Sequence, residues 1–461
     1  MATKKSPKNT TLKTALALIK KYQHGIALGL LLALGLLTRF WLFGYPNTAV
    51  FDEVYFGKFV SAYYTHQYFF DIHPPLGKLL IAGFAWLFHY TPTQSFDSIG
   101  TVYTDNTYLI LRFLPSLAAA LLPVAVYSFA RELGLKTRTA LLVGLFIIFE
   151  NTFIAQGRFI LIDSFLFLFG FGGMWAYFAW RHRRGKLRLI LAAALIGAAM
   201  SVKWTGLGFL AIPLICELVQ YIRVKNLDRL MRTTAILIAI PVILYTTLFS
   251  IHISLLNRTG DGDAFMTSQF QKTLSGSTYE QDESVKPLPM LTRIVELNYQ
   301  MYAANARLTA THPYASQWYS WPLMLRPISY WVDGEAQIWL FGNPVIWWGS
   351  TAGMIVLVYQ LIRGKLKAHR KSIALLVVGA YVINMAPFIG ITRVMFLYHY
   401  MIALVWALIG VGLLLDKVSA KNQAYLLGLV MITFFIVAPF TYGVSPDAFS
   451  TAFRTLLPSW R

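Results

Sequence analysis

The chain has 461 residues, 57% hydrophobic and only 13% charged, where a soluble domain carries about 25% charged residues. Its mean hydropathy of +0.55 marks an integral membrane protein. Lys and Arg outnumber Asp and Glu by 40 to 20, yet no basic patch stands apart from the loops flanking apolar runs, which argues against nucleic acid as a partner.

The single cysteine, Cys216, lies inside an apolar run and excludes an intramolecular disulfide and a cysteine metal site. Residues 1–24 form a basic tail. The apolar run at 25–43 has no small-residue cleavage site after it, so it reads as a retained anchor. Further runs at 108–130, 139–150, 160–180, 188–202, 205–222, 233–253, 344–362, 373–390, 395–415 and 424–442 predict about eleven transmembrane helices, at ~20 residues per span. The expected architecture is an all-α polytopic membrane protein over 25–443, with long outer loops at 44–107 and 254–343 and a tail at 444–461.

Loop charge sets the topology. Basic clusters at Lys4 to Lys21, Arg131 to Arg138, Arg181 to Arg188, Arg223 to Arg232, Arg363 to Lys371, and Lys417 with Lys421 alternate onto one side, cytoplasmic by the positive-inside rule. A further span at 75–89 would put most of them outside. Residues 54–67 and 75–90 are therefore predicted as helices lying in the outer interface. The second long loop carries an aromatic segment from Trp318 to Trp331, a composition suited to the headgroup level.

Ionisable residues concentrate in the first outer loop: Asp52, Glu53, Asp71, His73 and Lys78. Adjacent carboxylates beside a membrane suggest proton transfer at the interface, although such a pair is also a common helix cap. His73 precedes two prolines and has no second His at metal-ligand spacing, which favours hydrogen bonding. Arg39, Arg112, Arg158, Lys203 and Arg393 sit at the outer ends of five spans, joined by His399. Charge at mid-span costs about 2.5–3.5 kcal/mol on insertion scales. One such cation is ordinarily explained by snorkelling to a lipid phosphate; five at one level suggest a shared phosphate. Asp163 is expected to support Arg158 or another cavity group. No Gly-rich phosphate loop follows a strand, so a soluble nucleotide-sugar donor is not indicated.

Several stretches together resemble the protein O-mannosyltransferases. They are Thr38-Arg39-Phe40-Trp41, Phe51-Asp52-Glu53-Val54-Tyr55-Phe56-Gly57, Phe70-Asp71-Ile72-His73-Pro74-Pro75-Leu76-Gly77-Lys78, Gly157-Arg158 through Asp163-Ser164, and Ser201-Val202-Lys203-Trp204. Gln337 to Pro344, Arg393 and Phe396-Leu397-Tyr398-His399-Tyr400 continue the pattern, collinear from about 38 to 402. The resemblance implies a GT-C glycosyltransferase fold, with mannose moved from a polyprenyl-phosphate-mannose donor lipid to Ser or Thr of exported polypeptides. It assigns catalysis to Asp52 and Glu53, and lipid-phosphate binding to Arg39 and Arg112. Eukaryotic members carry a β-trefoil MIR domain in the second long loop, for which 254–343 has no room, so a bacterial or archaeal type is implied. The expected setting is the plasma membrane, with a secretion translocon as partner.

In the expected reaction an acceptor hydroxyl attacks the anomeric carbon with inversion. Asp52 takes its proton and Glu53 positions acceptor or sugar, roles that could be exchanged. Arg112, Arg393 and Lys203 stabilise the leaving phosphate, and Arg39, Asp71, His73, Lys78, Arg158, Asp163 and His399 complete the donor and substrate set. No cofactor is required by charge; a divalent metal between the acids stays open. Two rivals are a related transferase acting on a glycolipid and a transporter. The latter is disfavoured by the lack of inverted repeats and paired helix breaks.

Overall fold

The computed structural model describes residues 8–391 and 393–460. Residues 1–7 of the predicted basic tail, Lys4 among them, lie outside the described residues. The rest of that tail is not separate from the first span, because both belong to one helix, α1 (Lys8–Phe40).

In chain order α2 (Glu53–Thr65), α3 (Leu76–Leu87), α4 (Tyr108–Glu132), α5 (Thr137–Ile148), the short α6 (Asn151–Ala155), α7 (Asp163–Arg183) and α8 (Lys186–Val202) follow. Then come α9 (Leu207–Val224), α10 (Leu227–Leu255), the single turn α11 (Ser268–Gln271), α12 (Met290–Arg307), α13 (Pro344–Ile362), α14 (Ala368–Met385), α15 (Met401–Leu415), α16 (Ala420–Tyr442) and α17 (Ala448–Arg454). Each predicted apolar run carries a helix. Among the described residues eight helices are long and apolar enough to cross a membrane, namely the Lys21–Phe40 part of α1 with α4, α9, α10, α13, α14, α15 and α16. The remaining runs hold α5, α7 and α8, which pack within the bundle: α7 lies against α4 and α8, and α5 against α1 and α4.

The basic loops meet at one end of the bundle. The Lys136 amide donates to Asp416 Oδ1 (3.0 Å), Arg370 Nη2 donates to Asp416 Oδ2 (2.7 Å), and Arg183 pairs with Glu132. The long loops fold at the opposite helix ends. In the first, α3 is an apolar helix of 12 residues. Gly77 brings α3 close to the entry of α7: a Cβ there would lie 2.7 Å from the Ile162 Cβ.

The second long loop departs from the all-α expectation. Ile328–Asp333 (β1) and Ala336–Leu340 (β2) form an antiparallel hairpin, pairing Ile328 with Leu340 and Asp333 with Ala336. Aromatic and β-branched residues predominate in β1 and supply Ile338 and Trp339 of β2, and Gly334 takes φ +57° at the turn, where L side chains are strained. The aromatic segment is not simply laid on the bilayer. Trp321, Tyr330 and Trp331 are buried, while Tyr319 is exposed, so the segment packs inward over the outer helix ends. The C-terminal residues join it: the buried Trp460 donates its indole N–H to the Met324 carbonyl (2.7 Å).

Candidate active site

Asp52 and Glu53 begin α2, and the backbone just before them is forced. Phe51 has φ +50°, a left-handed conformation unfavourable for a bulky residue. It is held by the Phe51 amide donating to the Tyr330 carbonyl (3.1 Å) and by stacking of the two rings at 3.9 Å. The hairpin of the second outer loop thereby fixes the acidic turn of the first.

The two carboxylates then part company. Glu53 is fully buried and accepts five hydrogen bonds. Arg112 donates through Nε to Oε1 and through Nη2 to Oε2, both at 2.7 Å. The Val50 amide (2.9 Å), Ile160 amide (2.9 Å) and Tyr103 hydroxyl (3.0 Å) complete the set. Glu53 therefore ties the first loop to α4 and to the irregular segment leading into α7, and its oxygens are occupied.

The same geometry corrects the shared-phosphate expectation for three of the five cations. Arg112 is buried, and beyond Glu53 it donates to the Pro46 (2.8 Å) and Thr48 (2.9 Å) carbonyls. Arg158 donates to the carbonyls of Leu42 (2.6 Å), Tyr45 (3.4 Å) and Thr441 (3.4 Å). Arg39 donates to Ile147 (2.8 Å) and Ile148 (3.2 Å), the last carbonyls of α5. The reason is backbone satisfaction. The irregular segment from Leu42 to Thr48 and the end of α5 offer carbonyls outside regular helix or sheet ladders, and a guanidinium supplies up to five N–H donors. None of these three lines the cavity described next.

That cavity, about 560 Å³, lies between α7, α9, α14 and the C-terminal end of α12. His73, Asp163, Lys203, Arg393 and His399 line it, with Tyr302, Asn384 and Tyr398. Lys203 follows the last turn of α8, where a cation complements the helix dipole. Its ammonium donates to both Asp163 oxygens (2.9 and 2.8 Å). Asp163 thus partners Lys203, not Arg158, and also accepts from Gln156 Nε2 (2.8 Å), whose oxygen receives the Tyr330 hydroxyl. His399 stacks on Trp321 (5.7 Å) and Tyr398 (4.5 Å). Beside the cavity Lys78 pairs with Asp71 and donates to the His73 carbonyl (2.8 Å). Asp71 and Lys78 buttress the turn and do not line the space.

Asp52 is placed unlike its neighbour. Its carboxylate accepts no hydrogen bond among the described residues, and its α2 cap position is unused. Burial raises its pKa from 3.8 to about 7; nearby Lys203 opposes that shift, while Asp163 and Asp71 add to it. Burial and the cations Lys203, Lys78 and Arg393 hold His73 well below the usual imidazole value, so it is neutral at pH 7 and suited to hydrogen bonding. Among the described residues no three His, Cys, Asp or Glu side chains gather in a metal-binding group.

Gln156, Tyr330, Tyr302 and Asn384 escaped the sequence reading. Neutral polar residues in apolar surroundings carry no charge to mark them; Tyr330 alone had a signal, its place in the aromatic segment.

Helices spanning a membrane, with long loops at one end shaping a cationic cavity beside a loop carboxylate, define a polytopic protein of the GT-C glycosyltransferase fold. Residues 29–257 match the family described as dolichyl-phosphate-mannose-protein mannosyltransferase, and residues 290–460 match the C-terminal four-transmembrane region of protein-O-mannosyltransferase; the chain belongs to the protein O-mannosyltransferase family. It is 38% identical over 262 residues to protein O-mannosyltransferase 1 of Drosophila melanogaster, covering 53% of this chain and 29% of that protein. It is 29% identical over 285 residues to dolichyl-phosphate-mannose–protein mannosyltransferase 4 of Saccharomyces cerevisiae, covering 57% and 37%. The chain thus spans about a third of the length of these relatives. Its fold is similar to that of the S. cerevisiae protein O-mannosyltransferase Pmt1-Pmt2 complex bound to the sugar donor, with a TM-score of 0.85 at 19% identity over 91% of this chain and 90% of that one. The apo Archaeoglobus fulgidus oligosaccharyltransferase aligns at 0.57 and 12% identity over 93% and 57%.

Proposed function

We propose that this protein transfers mannose from a polyprenyl-phosphate-mannose to Ser or Thr hydroxyls of exported polypeptides. The observation that carries the reading is the division of labour between the two acids: one saturated and structural, the other unbonded and beside the cavity. The acceptor oxygen attacks the anomeric carbon, its proton passes to Asp52, and the bond from that carbon to the phosphate oxygen breaks with inversion. Lys203 and Arg393 face the charge that develops on the leaving phosphate, and His73 and His399 offer neutral hydrogen bonds to the sugar. A lipid monophosphate brings one phosphate to neutralise, so charge alone does not demand a divalent metal.

The names of the relatives support donor and acceptor class. The clustering of basic loops at one end supports eleven crossings, a cytoplasmic N-terminus and an active site on the opposite face of the plasma membrane. An exported acceptor presented at that face would reach it through a secretion translocon.

The test is to incubate the purified protein with a panel of labelled polyprenyl-phosphate sugars and a Ser/Thr-rich peptide, then map the product by mass. A hexose on a Ser or Thr, formed from the mannosyl donor alone, is expected. Transfer only to a lipid acceptor would replace the reading with a glycolipid transferase.

A further inference from the structure

A second cavity, of about 460 Å³, lies at the end of the bundle where the basic loops meet. Its walls are the last turns of α7, the second half of α9 and the first half of α14. The lining changes character along its length. Toward the bundle centre it is aliphatic, with Ile212, Ile215 and Leu376, and at the loop end it carries Arg181, Arg223 and His369. Ile215 and Leu375 are also exposed on the flank of the bundle, so the space opens toward surrounding acyl chains.

The one lining acid, Glu132, is already paired with Arg183 and lies 3.2 Å from the His182 ring nitrogen. Among the described residues Arg223 and His369 have no ion pair or side-chain hydrogen bond, and Arg181, which has no salt bridge, makes a 3.4 Å contact to Gln220 and lies 5.9 Å over the Tyr177 ring. An aliphatic slot with unneutralised donors at one end matches an acyl chain joined to a phosphate. We propose that this cavity binds an anionic glycerophospholipid from the leaflet at the basic end, with its phosphate against Arg223, Arg181 and His369 and a chain between α9 and α14. The inference stands apart from the glycosyl-transfer site and does not depend on it.

The full chain, purified in micelles, is titrated with dioleoylphosphatidylglycerol and with dioleoylphosphatidylcholine and examined by native mass spectrometry. One phosphatidylglycerol should be retained with a preference of about tenfold, and Arg223→Gln should weaken it about fivefold, since one surface cation contributes about that much toward an anionic lipid. Gly379→Leu leaves the charge unchanged and fills the slot, because a Cβ at Gly379 meets nothing within 4 Å; it should also lower retention. Lys225→Gln and Lys365→Gln, at the same end but outside the lining, should change nothing. Equal affinity for the two lipids, equal losses from the control lysines, or retention indifferent to Gly379→Leu in a variant with wild-type melting would each overturn the site.

Discussion

Asp52 and Glu53 share a peptide bond and occupy opposite electrostatic situations. Glu53 is enclosed by Arg112 and three further donors, whereas the Asp52 carboxylate has no hydrogen-bond donor among the described residues and is raised to about 7. Consecutive residues at a helix start point in different directions, so one can be built into the fold while the other stays unbonded near Lys203 and Asp163. That separation would let a single short motif supply both rigidity and the base of the proposed reaction.

The pH dependence follows from the raised value. A base must be ionised to accept a proton, so kcat/KM for transfer should climb with a slope of one up to about pH 7 and level off above it. A steady-state profile between pH 5 and 9 checks this; a profile flat down to pH 5 would place the base elsewhere.

Glu53 and Arg112 should behave as one structural unit. Arg112→Ala leaves a buried carboxylate facing its remaining donors without a cation, and Glu53→Ala leaves a buried guanidinium. Each should destabilise the protein by about 3–5 kcal/mol, the typical cost of breaking a buried pair. Thermal unfolding in detergent measures it. Arg112→Ala with wild-type melting and selectively weakened donor binding would instead restore Arg112 to the phosphate site.

Arg393 offers the cleaner probe of the donor phosphate, because among the described residues no carboxylate pairs with it, whereas Lys203 is needed by Asp163. Arg393→Gln removes one charge-assisted hydrogen bond, worth about 1.5–3 kcal/mol. The donor KM should rise roughly tenfold or more with the peptide KM unchanged. Initial rates with each substrate varied in turn separate the two.

Much of this was legible in the chain. Helix positions follow from uninterrupted apolar runs, because these are one-dimensional signals. The dense ionisable loop pointed to Asp52, and the out-of-place cations led to Lys203 and Arg393. The sequence could not say which cations face the cavity. Arg39, Arg112 and Arg158 look like Arg393 in one dimension, and only the fold reveals the carbonyls of residues 42–48, 147–148 and 441 that they bond. The β1–β2 hairpin was hidden for a related reason. Its aromatic residues were read by composition as membrane-surface groups, while their strand pairing depends on packing against α16 and α6.

The sharpest measurement is transfer by Asp52→Asn alongside its thermal stability. With Asp52 as base, turnover should fall by about 10²–10⁴-fold. Because the native pKa lies above the unfolded one, the Asp52 proton contributes stability that is full below about pH 3.8 and lost as pH rises through about 7. At pH 8 the neutral amide should therefore make the variant more stable than the wild type. An Asp52→Asn protein that melts no lower than wild type and still turns over within tenfold of it would contradict the assignment.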